Sequence, residues 1–271
     1  MMGWRELAAE FAGTALLLLL GLSAIVADFA PGSPVVAAIP GEDLRRLLTG
    51  VLFAASATLI VYSPLGRISG GHINPAVTLA FHRLGKITGP SAAGYILAQT
   101  AGAIFGTALV LLLWDGWATD VHLGATVPAA GGVWASLAAE AAATFLLVAL
   151  ILNLVDRPRL MPFTAAAAGL LVATLVFIEA PVSGTSLNPA RSLGPALVGG
   201  TWSGLWVYLV APPVGAVAAA LLYRRRRHTV ACGKLIHDDG YACHFLECRY
   251  TPPESRLRIP VPSPRRGEQN P

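Results

Sequence analysis

The strongest constraint on this chain is a segment that occurs twice. Ser69-Gly70-Gly71-His72-Ile73-Asn74-Pro75-Ala76-Val77-Thr78-Leu79 returns in register as Ser183-Gly184-Thr185-Ser186-Leu187-Asn188-Pro189-Ala190-Arg191-Ser192-Leu193. In both copies Asn and Pro follow a Gly- and Ser-containing stretch, and that order starts a helix. Asn caps it, and Pro takes the first helical position, where no N–H is missed. Each copy therefore predicts a loop feeding a helix N-terminus. A single Asn-Pro-Ala would be an ordinary turn; two in one apolar chain predict a duplicated architecture. A second echo supports this, since Leu7-Ala8-Ala9-Glu10-Phe11-Ala12-Gly13-Thr14 returns as Leu137-Ala138-Ala139-Glu140-Ala141-Ala142-Ala143-Thr144. The mid-chain copy also excludes a cleaved signal peptide as the reading of the first apolar run.

The solvent of such a chain is a membrane. Of its residues 55% are hydrophobic and 13% charged, with a mean hydropathy of +0.62, whereas soluble domains run near a quarter charged. Runs from Phe11 to Ala27, Leu44 to Val61, Gly94 to Trp114, Trp134 to Val155, Phe163 to Ile178 and Leu205 to Tyr223 approach the ~20 residues that a spanning helix needs. Only about ten residues separate Asn74 from Leu84, a helix of roughly 15 Å against a hydrocarbon core of ~30 Å. Such a helix reaches halfway across.

The expected fold is all-α: six transmembrane helices plus two half-helices, in repeats over about residues 5–114 and 134–223, within a channel domain of residues 1–227. Three spans per repeat is odd, so the second repeat enters the membrane inverted. Arg5, Arg67, Arg83, Lys86, Arg157, Arg159 and Arg224 to Arg227 then share one side, which makes both termini cytoplasmic and suits a plasma (inner) membrane. The half-helices enter from opposite faces and meet near the midplane. The formal charge of +4 lies in ends and loops, which fits contact with anionic lipid but no nucleic acid. No nucleophile, base and orienting group converge, so no enzyme is expected, and no cofactor or metal.

Irregular backbone survives at membrane depth only inside protein or along water. Gly70, Gly71, His72 and Ile73, with Gly184, Thr185 and Ser186, are therefore expected to present carbonyls to a file of water. Two helix N-termini facing each other carry roughly half a positive charge apiece, which repels cations and hydrated protons. Asn74 and Asn188 add side-chain N–H donors there, so that a passing water accepts from both and relays no proton. Val77 and Arg191 are equivalent positions, apolar in one copy and cationic in the other. An intramembrane Arg is functional by default.

Ser-Gly-Gly-His-Ile-Asn-Pro-Ala-Val-Thr from Ser69 and Asn-Pro-Ala-Arg-Ser from Asn188 resemble the paired signature of the aquaporin, or major intrinsic protein, family. Ala9-Glu10-Phe11-Ala12-Gly13-Thr14 and the Gln99 helix match too, and the resemblance covers about residues 5 to 223. It implies a homotetramer with a pore in each protomer, passing water or small neutral solutes. It marks Asn74, Pro75, Ala76, Asn188, Pro189 and Ala190 as the pore motifs. It places a narrow selectivity filter at Phe53, Val176, Thr185 and Arg191. At the first of these an ungapped count gives Ala54, but Ser63-Pro64-Leu65-Gly66 is one residue longer than usual, and Phe53 supplies an aromatic wall. Strict water channels carry His where this chain has Val176, and Tyr208-Leu209 also leans toward solute-passing relatives. Ser192 stands where dedicated glycerol facilitators place Asp. The combined expectation is water plus small uncharged solutes such as glycerol or metalloid hydroxides. A strict water channel is the alternative, as is an ion-coupled secondary transporter.

A transporter would need a coupling carboxylate, and only Glu10 and Glu140 are available. Their symmetry and the resemblance assign them instead to holding the loop backbones. His72 is expected to pack within its loop rather than to titrate. Residues 228–271 read as a basic, disordered tail on the cytoplasmic side. Cys232, His237, Cys243, His244 and Cys248 could be imagined as a zinc site, but their spacing fits no standard ligand pattern. With every cysteine in the tail, mercurials are expected to inhibit little.

Overall fold

The computed structural model describes residues 3–129, 131–227 and 229–250. Among the described residues six helices are long and apolar enough to cross a membrane: α1 (Trp4–Phe29), α3 (Glu42–Tyr62), α6 (Gly89–Trp114), α8 (Gly132–Val155), α9 (Thr164–Ser183) and α11 (Leu205–Arg227). Two shorter helices open on the duplicated motif, α5 (Pro75–Arg83) and α10 (Pro189–Gly199). The remaining α-helical pieces, α2 (Pro34–Ala38), α4 (Pro64–Ser69) and α7 (Gly116–Asp120), lie in connections, as do two single 3-10 turns at His122–Gly124 and Met161–Phe163. The architecture is the one the sequence implies, three spans and a half-helix, twice.

Pairing between the helices repeats across the halves. α1 packs on α6 as α8 packs on α11, and α3 meets α9 between them. The half-helices pack largely across the repeats, α5 on α11 and α10 on α6. Small residues set the spacing, because in lipid, helices associate through close backbone contact. A Cβ at Gly102 would overlap the carbonyl oxygen of Phe11, and one at the equivalent Gly215 would overlap that of Ala141. On the outside, Leu59, Leu97, Leu112, Leu170 and Val214 are exposed, a surface suited to hydrocarbon, and the chain is a membrane protein. Trp4, Trp134, Trp202 and Trp206 are also exposed, as interfacial aromatics are.

After α11 the chain does not leave the molecule. Disorder was expected from residue 228, yet residues 229–250, without helix or strand, fold back onto the side where α1 begins, here the tail side. Val230, Ala231, Cys232, Leu235, Ile236, Phe245 and Cys248 are buried there. Hydrophobic count explains the difference: a basic composition hid apolar residues spaced to cover a surface that the helices leave open. The rest of the tail, residues 251–271, lies outside the described residues.

Candidate functional site

Each half-helix is held by a carboxylate from the first helix of its repeat. Glu10, on α1, accepts from the Ser69 hydroxyl (2.6 Å), the His72 N–H (3.1 Å), the Ile73 N–H (2.7 Å) and the Gln99 amide (2.6 Å). Glu140, on α8, accepts from the Ser183 hydroxyl (2.7 Å), the Ser186 N–H (2.6 Å) and the Leu187 N–H (2.8 Å). Both are fully buried. Carboxylates filled with donors in this way fix backbone; neither faces a ligand. Two tyrosines complete the symmetry. Tyr95 donates to the Ser69 carbonyl and Tyr208 to the Ser183 carbonyl, each at 2.6 Å. Sequence reasoning missed that pair, although the repeat register places the two tyrosines opposite one another. It also missed Glu179, which accepts from the Ser183 hydroxyl beside Glu140.

The motif asparagines do two things. Asn74 Oδ1 caps its helix by accepting from Ala76 N–H (2.8 Å), and Asn188 Oδ1 does so from Ala190 N–H (3.0 Å). Each amide nitrogen then donates across the repeats, Asn74 to the Leu187 carbonyl and Asn188 to the Ile73 carbonyl, both at 2.9 Å. Ile73 and Leu187 adopt φ of 42° and 55°, a left-handed conformation that branched residues hold only under strong constraint. Here the constraint is the pair of carboxylates gripping the same residues' N–H groups. An amide NH2 has two protons, so each Asn keeps one for the cavity it lines.

Two cavities meet at this centre. One, of about 110 Å³, is lined by Gly71, His72, Ile73, Asn74, Val77, Asn188 and Arg191 and, from the tail segment, Leu235. The other, of about 430 Å³, is lined by Val176, Gly184, Thr185, Ser186 and Arg191 toward the opposite side. Phe53 and Arg191 belong to both, with the guanidinium carbon 5.7 Å from the ring centroid. Phe53, not the buried Ala54, therefore faces the passage, with Val176 and Thr185 lining the cavity on the far side of it. Arg191 donates to the Gly124 carbonyl at 2.7 Å, and the Ser192 hydroxyl lies 2.6 Å from those of Thr126 and Ser186. The loop over residues 122–126 is thus tied to α10 and fixes the guanidinium. Among the expected carbonyls, Gly70 departs: it lines neither cavity, and its oxygen accepts from the Leu235 N–H at 3.0 Å.

A family model described as major intrinsic protein matches residues 1–223. The chain belongs to the major intrinsic protein family. It is 38% identical over 227 residues to aquaporin NIP1-4 of Oryza sativa subsp. japonica, covering 83% of this chain and 78% of that one. It is 34% identical over 250 residues to nodulin-26 of Glycine max, covering 90% and 85%. Its fold is similar to the X-ray structure of the aquaglyceroporin from Plasmodium falciparum, with a TM-score of 0.69 at 22% identity over 82% of this chain and 96% of that one.

In this major intrinsic protein the tail reaches the site. His72 Nε2 lies 2.9 Å from the Gly233 carbonyl, and since a carbonyl only accepts, Nε2 carries the proton. The His72 ring also stacks on Phe81 and meets Phe245. His72 packs as expected, but against residues 229–250 as well as its own loop. His244 approaches Tyr95 at 3.2 Å, and burial pushes its pKa down against the Glu6 carboxylate 3.7 Å away, which pulls it up. Asp238 pairs with Arg67, and the Gly240 N–H, ahead of Arg67, holds its carboxyl below the usual range. The thiols lie far along the sequence from the pore, but Cys232 is three residues from Leu235 in its mouth. That proximity removes the ground for expecting indifference to mercurials.

Proposed function

We propose that this protein is a passive channel for water and small uncharged solutes such as glycerol or metalloid hydroxides, closed to ions and protons. The observation that carries this reading is the junction of the two cavities at Phe53 and Arg191, with Asn74 and Asn188 beside it. A fixed cation and two helix N-termini repel cations and hydrated protons and offer hydrogen-bond donors to neutral acceptors. The selectivity filter is Phe53, Val176, Thr185 and Arg191. The printed names of its relatives, aquaporins and an aquaglyceroporin, agree with this substrate class. Family membership is of a channel kind, not an enzymatic one. In this reading the tail side, where most of the basic residues lie, faces the cytoplasm across a plasma (inner) membrane, and the chain acts as a homotetramer with one pore per protomer.

Stopped-flow swelling and shrinking of proteoliposomes tests the filter, with water and glycerol run in parallel. Wild type is expected to pass both. Val176→His returns a hydrogen-bonding ring to the passage and is expected to retain water flow while losing glycerol flow. Passage of water but not glycerol by wild type would overturn the role given to Val176, and impermeability to both, before and after treatment with a metal chelator, would overturn the channel.

A further inference from the structure

We propose that Cys232, His237, Cys243 and Cys248 bind a zinc ion, and that the segment so tied plugs the tail-side mouth of the pore at Leu235. The ligand atoms of the four residues lie within 4.8 Å of one another. Cys232 Sγ is 3.6 Å from Cys243 Sγ, 3.4 Å from Cys248 Sγ and 3.6 Å from His237 Nδ1, and Cys248 Sγ is 3.7 Å from the same nitrogen. Sulfurs ~2.3 Å from a tetrahedral zinc stand about 3.8 Å apart, and a sulfur and an imidazole nitrogen about 3.6 Å. Four of the six edges lie within about 0.4 Å of those of a zinc tetrahedron, and the other two fall within 4.8 Å. They are far too long for a disulfide, whose sulfurs stand ~2.05 Å apart.

The surroundings fit a metal centre in three further ways. Asp239 lies 3.4 Å from His237 Nε2, the outer carboxylate that orients a ligating imidazole. The Lys234 N–H donates to Cys232 Sγ at 3.3 Å, which stabilises a thiolate. Lys86 and Lys234 are fully buried nearby, and their ammonium groups donate to the carbonyls of Glu247, Arg67 and Ala242. Among the described residues neither pairs with a carboxylate. Three thiolates and a neutral His around Zn²⁺ carry a net −1, the charge that buried ammoniums need; the three thiol protons leave to solvent on binding. A short segment without helix or strand has too small a core to hold its own shape, and a metal is the usual staple.

The staple is anchored around the mouth. Residues 229–250 reach both repeats: Arg67 through Asp238, Lys86 through the Leu246 N–H, Asp156 through Arg249 and the Val155 carbonyl through Tyr250. Between these anchors the Leu235 N–H holds the Gly70 carbonyl, and Leu235, itself buried, lines the 110 Å³ cavity. The plug rests on the channel reading; the metal site does not.

The test uses the full-length protein. Metal analysis after purification is expected to find one zinc per protomer, with thiols that react with a disulfide reagent only after a chelator is added. Cys248→Ser and His237→Ala are expected to lose the metal. In proteoliposomes, stripping zinc from wild type is expected to raise water flow several-fold, zinc to reverse it, and Leu235→Ala to raise flow with its zinc in place. Absence of stoichiometric zinc, with thiols open to reagent or joined in a disulfide, would overturn the site. So would retention of arsenite instead, unaltered by His237→Ala, since arsenite takes thiols alone. Equal flow above that of protein-free liposomes, with and without zinc, would overturn the plug and leave the channel standing. Flow no greater than protein-free liposomes in every state would overturn the channel reading and the plug with it.

Discussion

Single residues at this site act by satisfying buried backbone, and their cost on removal follows from that. Glu140→Ala would strand the N–H groups of Ser186 and Leu187 at membrane depth, where each unsatisfied group costs about 1–3 kcal/mol. We expect a large fall in thermal unfolding temperature in detergent, while Glu140→Gln, which keeps one accepting oxygen, falls less. Equal stability of all three would show that the carboxylate does not support the loop. The same chemistry explains which residues could be read in advance. Glu10, Glu140, Asn74, Asn188 and Arg191 stand in or beside repeated motifs, which made their positions legible even though the groups that Glu10, Glu140 and Arg191 bind are distant in sequence. Phe53 could be read only by counting across a connection of uncertain length, and what separates it from Ala54 is the direction of a side chain, which α3 decides through its packing.

At the scale of helices, the half-span length came directly from the distance between Asn74 and the polar residues after it, and α5 ends at Arg83. Helix spacing was less open to reading. Gly102 and Gly215 are unremarkable among 28 glycines, and only the contact of α6 with α1, and of α11 with α8, gives them meaning. Gly215→Val places a branched side chain against the Ala141 carbonyl, and overpacking of this kind costs about 1–3 kcal/mol. The expected result is a lowered unfolding temperature with unchanged helical circular dichroism. An exposed helical glycine would instead gain stability from the change, through better propensity.

For the whole molecule, the apolar outer surface bears both on lipid and on neighbours. Cross-linking and native mass spectrometry in mild detergent are expected to give a tetramer, and a monomer at all protein concentrations would count against it. Sequence alone determined the membrane as solvent, the inverted duplication, the two half-helices and the residues at their tips, because hydropathy, repetition and capping are properties of neighbours along the chain. Only the tertiary structure decided that Phe53 faces Arg191, that the asparagines tie the two repeats together, and that residues 229–250 return to the mouth. Those facts depend on atoms distant in sequence. Cys232, His237, Cys243 and Cys248 follow no standard spacing, since an irregular segment shaped by the surface beneath it brings its ligands together without a linear rule.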